Sequence, residues 1–215
     1  MTVSISRPEI LAITDETSQS SSFGCNQNWY ADKRQRMAGC GPTCAANIMA
    51  YLALSRSELR ALYSGDVMTK AQISIHMDEI YKFVTPGNMG LNRLEVFTRG
   101  VEDFAFSRGL YLRTHVFEVR GKMSRNRLPV SELTEFVHAS LANDCPVAFL
   151  NLDNGRVNNI QSWHWVTITS ANIADKNDTN LSVCASDEGL EVCFDLKQWY
   201  MSTRLRGGLV YFTAK

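Results

Sequence analysis

A cysteine set between glycines at the start of a helix has the makings of a nucleophile, and Gly39-Cys40-Gly41-Pro42-Thr43 is such a stretch. A thiol attacks a carbonyl as thiolate. Its pKa drops from about 8.5 to roughly 3.5–7.5 at a helix N-terminus or beside a cationic imidazole. Ala45, Ile48, Met49 and Leu52 recur at three- and four-residue steps, so the spacing predicts an amphipathic helix over residues 40–54 with Cys40 at its mouth. Pro42 falls in the first turn, where a missing N–H costs nothing. Gly39 and Gly41 leave the sulfur uncrowded, so a carbonyl can approach it and nearby backbone N–H groups can hold the developing oxyanion.

Such a nucleophile needs a base, and the base needs a group to orient it. Of the histidines, His76 lies in a helical stretch, His138 on a helix over 131–141, and His115 on an alternating strand. The candidate base is His164, in Ser162-Trp163-His164-Trp165-Val166-Thr167-Ile168. It enters a strand from the polar 154–161 loop, so its imidazole belongs near a strand end. Trp163 and Trp165 are expected on the opposite face, anchoring that strand. The next strand runs into Ala185-Ser186-Asp187-Glu188-Gly189, a turn that offers acceptors beside the histidine strand, with Asp187 as the orienting group and Ser186 as its competitor.

Four other cysteines are read as packing: Cys44 one turn along the Cys40 helix, Cys145 before Pro146, and Cys184 and Cys193 on core strands. A zinc site built from Cys40, Cys44, Cys184 and Cys193 fits poorly. Structural zinc sites use tight pairs, and the second pair is nine residues apart. Neither a metal nor a cofactor is expected.

These residues must be positioned by the elements around them. Helical spacing recurs over 57–63, 70–84 and 91–108, broken by Ser64-Gly65 and Thr85-Pro86-Gly87-Asn88. A short strand is expected at 10–14, followed by a loop at 17–22. Alternation sets in over 110–119, and a helix follows over 131–141. Strands are then expected over 146–152, 163–171, 181–185 and 190–194. A loop at 172–180, a short helix at 196–201 and a last strand at 208–213 complete the chain. Helices first and an antiparallel sheet last make an α+β fold. The expectation is one domain over 1–215, with a helical lobe at about 23–108, an insertion at about 55–127 and a sheet lobe at about 109–215.

A chain of 215 residues that is 45% hydrophobic can bury such a core. Its twenty-two basic and twenty-two acidic residues are dispersed, which argues against nucleic acid or an anionic membrane as partner. No apolar run approaches the length of a membrane span; even 45–54 is cut by Asn47. Residues 1–22 lack the pattern of a secretory signal, and the sparse cysteines fit a reducing cytoplasm.

Gly39-Cys40-Gly41-Pro42-Thr43 followed by Ala45-Ala46-Asn47, then Trp163-His164-Trp165-Val166, then a turn bearing Asp187, resembles bacterial papain-like cysteine peptidases. The likeness is to bacteriocin leader-cleaving peptidases and uncharacterised clostridial relatives. It implies a papain-like fold, Cys40 as nucleophile, His164 as base and Asp187 as orienter. It also implies an upstream glutamine that donates to the oxyanion, here Gln27 in Gly24-Cys25-Asn26-Gln27-Asn28-Trp29-Tyr30, with Gln35 as the alternative. The implied partner is a peptide or small amide, cleaved through an acyl-enzyme. An acyltransferase like phytochelatin synthase, or an inactive binding module on the same fold, would use the same frame.

Overall fold

Thirteen consecutive residues of the helix that begins at Cys40, Gly41 to Ala53, are buried. An amphipathic helix is what the spacing predicts, but Ala46, Asn47, Ala50, Tyr51 and Ala53 on its other sides are buried too, so no side of that stretch faces water. The helix is the post around which the fold is built.

The computed structural model describes residues 1–121, 127–173 and 181–215. The chain opens with β1 (Thr2–Ser4), a 3-10 turn at Pro8–Leu11, β2 (Ala12–Thr14), β3 (Ser21–Phe23) and a 3-10 turn at Gln27–Trp29. Four helices follow: α1 (Lys33–Ala38), α2 (Cys40–Ser55), α3 (Lys70–Tyr81) and α4 (Leu94–Ser107), with a 3-10 turn at Ser57–Leu62. Then come β4 (Leu112–Val119), α5 (Val130–Ala142), β5 (Val147–Asn151), β6 (His164–Ile173), β7 (Leu181–Asp187), β8 (Leu190–Asp195), α6 (Leu196–Ser202) and β9 (Gly207–Ala214).

The large sheet runs β4-β9-β5-β6-β7-β8, every pairing antiparallel. β1 joins it from the N-terminus, pairing Thr2–Ser4 with residues 170–172 of β6 beyond the stretch that pairs with β5. The mixture of helices and an antiparallel sheet is the α+β class expected. Expected strand 10–14 is half 3-10 turn, because Pro8 starts a tight turn that buries Ile10 and Leu11 before β2 begins. β1 and α1 carry no sequence expectation, whereas β3 takes Ser21 and Ser22 out of the loop expected at 17–22, because residues 21–23 pair with Ala12–Thr14. Most of the loop expected over 172–180, from residue 174 on, lies outside the described residues.

α2 packs on β6. Cys44 Sγ reaches the Val166 carbonyl at 3.3 Å and accepts from Thr167 Oγ1 at 3.3 Å. Trp165 stacks on Phe97 of α4 with ring centroids 4.3 Å apart, and its indole N–H donates to the Leu91 carbonyl at 2.5 Å. The segment before α4 is thereby pulled over the start of α2, so close that a Cβ on Gly41 would meet Leu91 at 2.4 Å. Each large apolar side chain buried in such a core contributes about 1.5–3 kcal/mol.

Under α2, His76 of α3 is fully buried, edge-on to Tyr63 and Phe104 with centroids 5.0 and 5.8 Å away. Burial first, and the charge of Arg108 second, hold its pKa down at about 3. Below pH 6.5 the unfolded chain takes up a proton that the folded chain refuses, so this residue drains stability as pH falls from 6.5 toward 3. Each pH unit in that window costs about 1.4 kcal/mol. The melting temperature is expected to fall with acid over that range, and His76→Phe to flatten the fall. An unaltered acid limb in the variant would show that other groups set it.

Candidate active site

The antiparallel pairing of β6 with β7 brings the first residue of one strand to the last residue of the other. His164 opens β6 and Asp187 closes β7. Their side chains meet, His164 Nε2 to Asp187 Oδ1 at 2.6 Å, with both groups largely withdrawn from water. Thr167 stands opposite Ser186 in register, which fixes the offset. The hairpin that follows is closed by a two-residue turn, Glu188 and Gly189, both at positive φ (48° and 82°), the geometry that matches strand twist.

Cys40 reaches the same place from the helix side. Cys44 touches Val166 and Thr167, and Cys40 lies one turn nearer the helix start, over the beginning of β6. Cys40, His164, Asp187 and Gln27 border one narrow pocket. Burial alone would lower the pKa of His164, but hydrogen bonding to Asp187, then to Cys40, raises it to about 10. The imidazole is therefore held as a cation at neutral pH. Cys25 and Cys44 border the pocket too, but burial pushes both thiols up, Cys44 to about 12. They stay protonated, whereas Cys40 is partly exposed.

Ser186 does not compete for the imidazole. Its hydroxyl donates to the Phe23 carbonyl at 2.7 Å. That bond belongs to a seam joining residues 23–26 to the β7–β8 turn. Phe23 N donates to the Gly189 carbonyl at 2.7 Å and Asn26 Nδ2 to the Glu188 carbonyl at 2.6 Å. Gly24, at φ 78°, lies so close to this seam that an added Cβ would meet Ser186 Oγ at 2.0 Å. The seam sets Gln27 at the pocket, with its Oε1 buried and unpartnered. Gln35 lies elsewhere, on α1 beside a separate cleft with Tyr81 and Thr85.

Asn47 carries no role in the sequence reading, although it interrupts the apolar run over 45–54. It is buried inside α2, and one amide ties three segments together. Its Oδ1 accepts from Cys25 N at 2.8 Å, and its Nδ2 donates to Thr167 Oγ1 and to Ser186 Oγ, each at 3.3 Å. The available signal was its chemistry: a polar side chain in the middle of a helix with no exposed face must find partners.

Trp163 departs from expectation. In a regular strand it would share the face of Trp165, since alternate residues point the same way. Its φ of 59° takes it out of the strand, and the indole turns outward while Trp165 goes into the core. Trp199 is fully buried in the core, and Trp29 packs partly buried against it beneath Lys70. Cys184 and Cys193 are not core thiols. They face each other across β7 and β8, Cys193 exposed, and form a disulfide. A bonded pair is uncommon in a reducing compartment. Among the described residues no group of three or more His, Cys, Asp or Glu could hold a metal ion. No helix there is long and apolar enough to cross a membrane.

No protein-family model and no curated protein sequence matches the chain. Among solved structures, UfSP from C. elegans superposes over 100% of this chain with a TM-score of 0.52 at 9% identity. This chain spans 34% of that one. The Pseudomonas avirulence protein AvrPphB matches over 80% of this chain and 91% of its own, at 13% identity and a TM-score of 0.34. The chain has an α+β papain-like fold.

Proposed function

We propose that the chain is a thiol hydrolase of peptide or small amide bonds, with Cys40 as nucleophile, His164 as base and Asp187 as its orienter. The observation that carries this reading is the His164–Asp187 bond at 2.6 Å beside the one partly exposed thiol of the pocket. Asp187 takes Nε2, which leaves Nδ1 to exchange a proton with Cys40. The sulfur adds to the substrate carbonyl, and its former proton resides on His164. Collapse of the tetrahedral intermediate expels the amine, which leaves with that proton, and an acyl-enzyme remains. Water then adds, its proton passing to His164, and the carboxylic acid departs as the thiol is restored.

Asp187 fixes the imidazole orientation and stabilises its charge. Gln27 and the N–H groups of the first turn of α2 are suited to the oxyanion, because a helix start leaves donors without intrahelical acceptors. Only the Nε2 amide of Gln27 can serve there, since its Oε1 is an acceptor. The proposed substrate is a peptide, and the Cys184–Cys193 bond favours an oxidising compartment over the reducing cytoplasm expected from the sequence.

Iodoacetamide is the direct test. In the folded protein Cys25, Cys44 and Cys145 are buried and Cys184 is bonded to Cys193. Peptide mapping after brief treatment at neutral pH is expected to find the label on Cys40 and none in Cys40→Ala. Peptide cleavage is expected to vanish in the same variant. Undiminished cleavage by Cys40→Ala would end the proposal.

A further inference from the structure

Beside the catalytic pocket runs a second opening, a groove of about 580 Å³ that also borders Cys40. One wall is α1, with Met37; the other is the 87–91 segment, with Met89 and Leu91; Trp163 closes the remaining side. The groove is preformed. Arg34 Nη2 donates to Asn88 Oδ1 at 3.3 Å, joining the two walls. Leu91 is held by the Trp165 indole and seated against Gly41.

Its apolar side chains face water. Met37 is 75% exposed, Met89 67% and Trp163 47%. Trp163 also carries a backbone cost. A non-glycine residue at φ 59° sits in a sparsely populated region, at about 1 kcal/mol or more. The loop before it is pinned, since Asn151 Nδ2 donates to the Gln161 carbonyl at 2.6 Å and Ser162 Oγ accepts from Asn154 N at 3.1 Å. The strained residue adjoins His164, and the strain holds a large aromatic ring out of the core and over the groove. Packing alone would favour the reverse.

We infer that Trp163 is a specificity-determining residue, and that the groove takes a bulky apolar side chain, aromatic or long aliphatic, from the acyl side of the scissile bond. The inference rests on the thiol-hydrolase reading. The side follows from the lining. Cys40 borders the groove but His164, Asp187 and Gln27 do not. The leaving amine must lie toward His164 to collect its proton, so the groove on the far side of the sulfur receives the acyl portion. The volume falls in the range of sites that enclose small ligands, about 300–1,000 Å³, and holds a large side chain with some backbone.

The test compares three electrophiles on the full chain: iodoacetamide, a peptidyl chloromethyl ketone with Phe next to the reactive carbon, and its Gly counterpart. Wild type is expected to react with the Phe reagent at least tenfold faster than with the Gly reagent. In Trp163→Gly that ratio is expected to approach one, while iodoacetamide still labels Cys40. The melting temperature of this variant is expected to hold or rise, because glycine accepts this φ without strain. Trp163→Leu, which keeps apolar surface, is expected to retain part of the preference. Equal rates in wild type, or an intact preference in Trp163→Gly, would overturn the inference and leave the hydrolase reading standing. Failure of iodoacetamide to label wild-type Cys40 would overturn both.

Discussion

His164→Ala is expected to cut peptide cleavage by about 10²–10⁴-fold, the span that a positioned acid–base group supplies. Alkylation of Cys40 by iodoacetamide at pH 6 should fall too, by at least tenfold, because the variant removes the cation that favours the thiolate. The second measurement needs no substrate, so it separates loss of the charge pair from loss of binding. Unchanged alkylation would mean that the imidazole does not act on Cys40.

The pH dependence follows from the same pair. Hydrogen bonds to Asp187 and Cys40 outweigh burial and lift the pKa of His164 to about 10. Its folded value lies above its unfolded value, so the folded chain holds a proton between about pH 6.5 and 10 that the unfolded chain has lost. The stabilisation is complete below pH 6.5 and disappears as pH rises through about 10. The activity profile should decline on the alkaline side near that value. Asp187→Asn keeps a partner of the same shape and removes the charge, so its alkaline limb should move down by a unit or more with a smaller loss of peak rate. A limb that stays in place would remove Asp187 from the role of charge partner.

Much of the frame could be read from periodicity. α2, α5 and the strands from β5 to β9 are long enough, or sharply enough bounded by Asn, Asp and Gly, for their patterns to register. Cys40, His164 and Asp187 follow from those elements, because each sits at an element's end where pattern gives way to turn chemistry. Shorter or non-local features left no such trace. α1 spans only six residues and is started by Asp32, whose carboxylate accepts from Arg34 N and Gln35 N at 2.8 and 3.1 Å. β1 pairs with the far end of β6, and nothing in Thr2–Ser4 names that distant partner. The Cys184–Cys193 bond had a usable cue: Glu188-Gly189 lies midway between the two, so a two-residue hairpin there sets them opposite each other. Trp163 misled because alternation assumes a strand, and one residue at positive φ ends that assumption.

Asn47→Ala should injure both stability and rate, in ways that can be told apart. The variant strands the buried Cys25 N–H, at about 1–3 kcal/mol, while Thr167 and Ser186 keep Cys44 and Phe23 as partners. The protein should therefore fold, with a lowered melting temperature. The segments that lose their common tie lead to Gln27, His164 and Asp187, so their spacing loosens where catalysis is least tolerant of displacement. The expected result is a fall in kcat of about tenfold to a hundredfold with little change in KM, because the groove at Met37, Met89 and Trp163 makes no contact with Asn47. Asn47→Asp tests the assignment further. A carboxylate still accepts from Cys25 N but cannot donate to Thr167 or Ser186, so it should recover part of the stability and less of the rate. Equal recovery of both would reduce Asn47 to a core hydrogen bond. Unequal recovery would assign it the registration of helix against sheet, on which the reactivity of Cys40 depends.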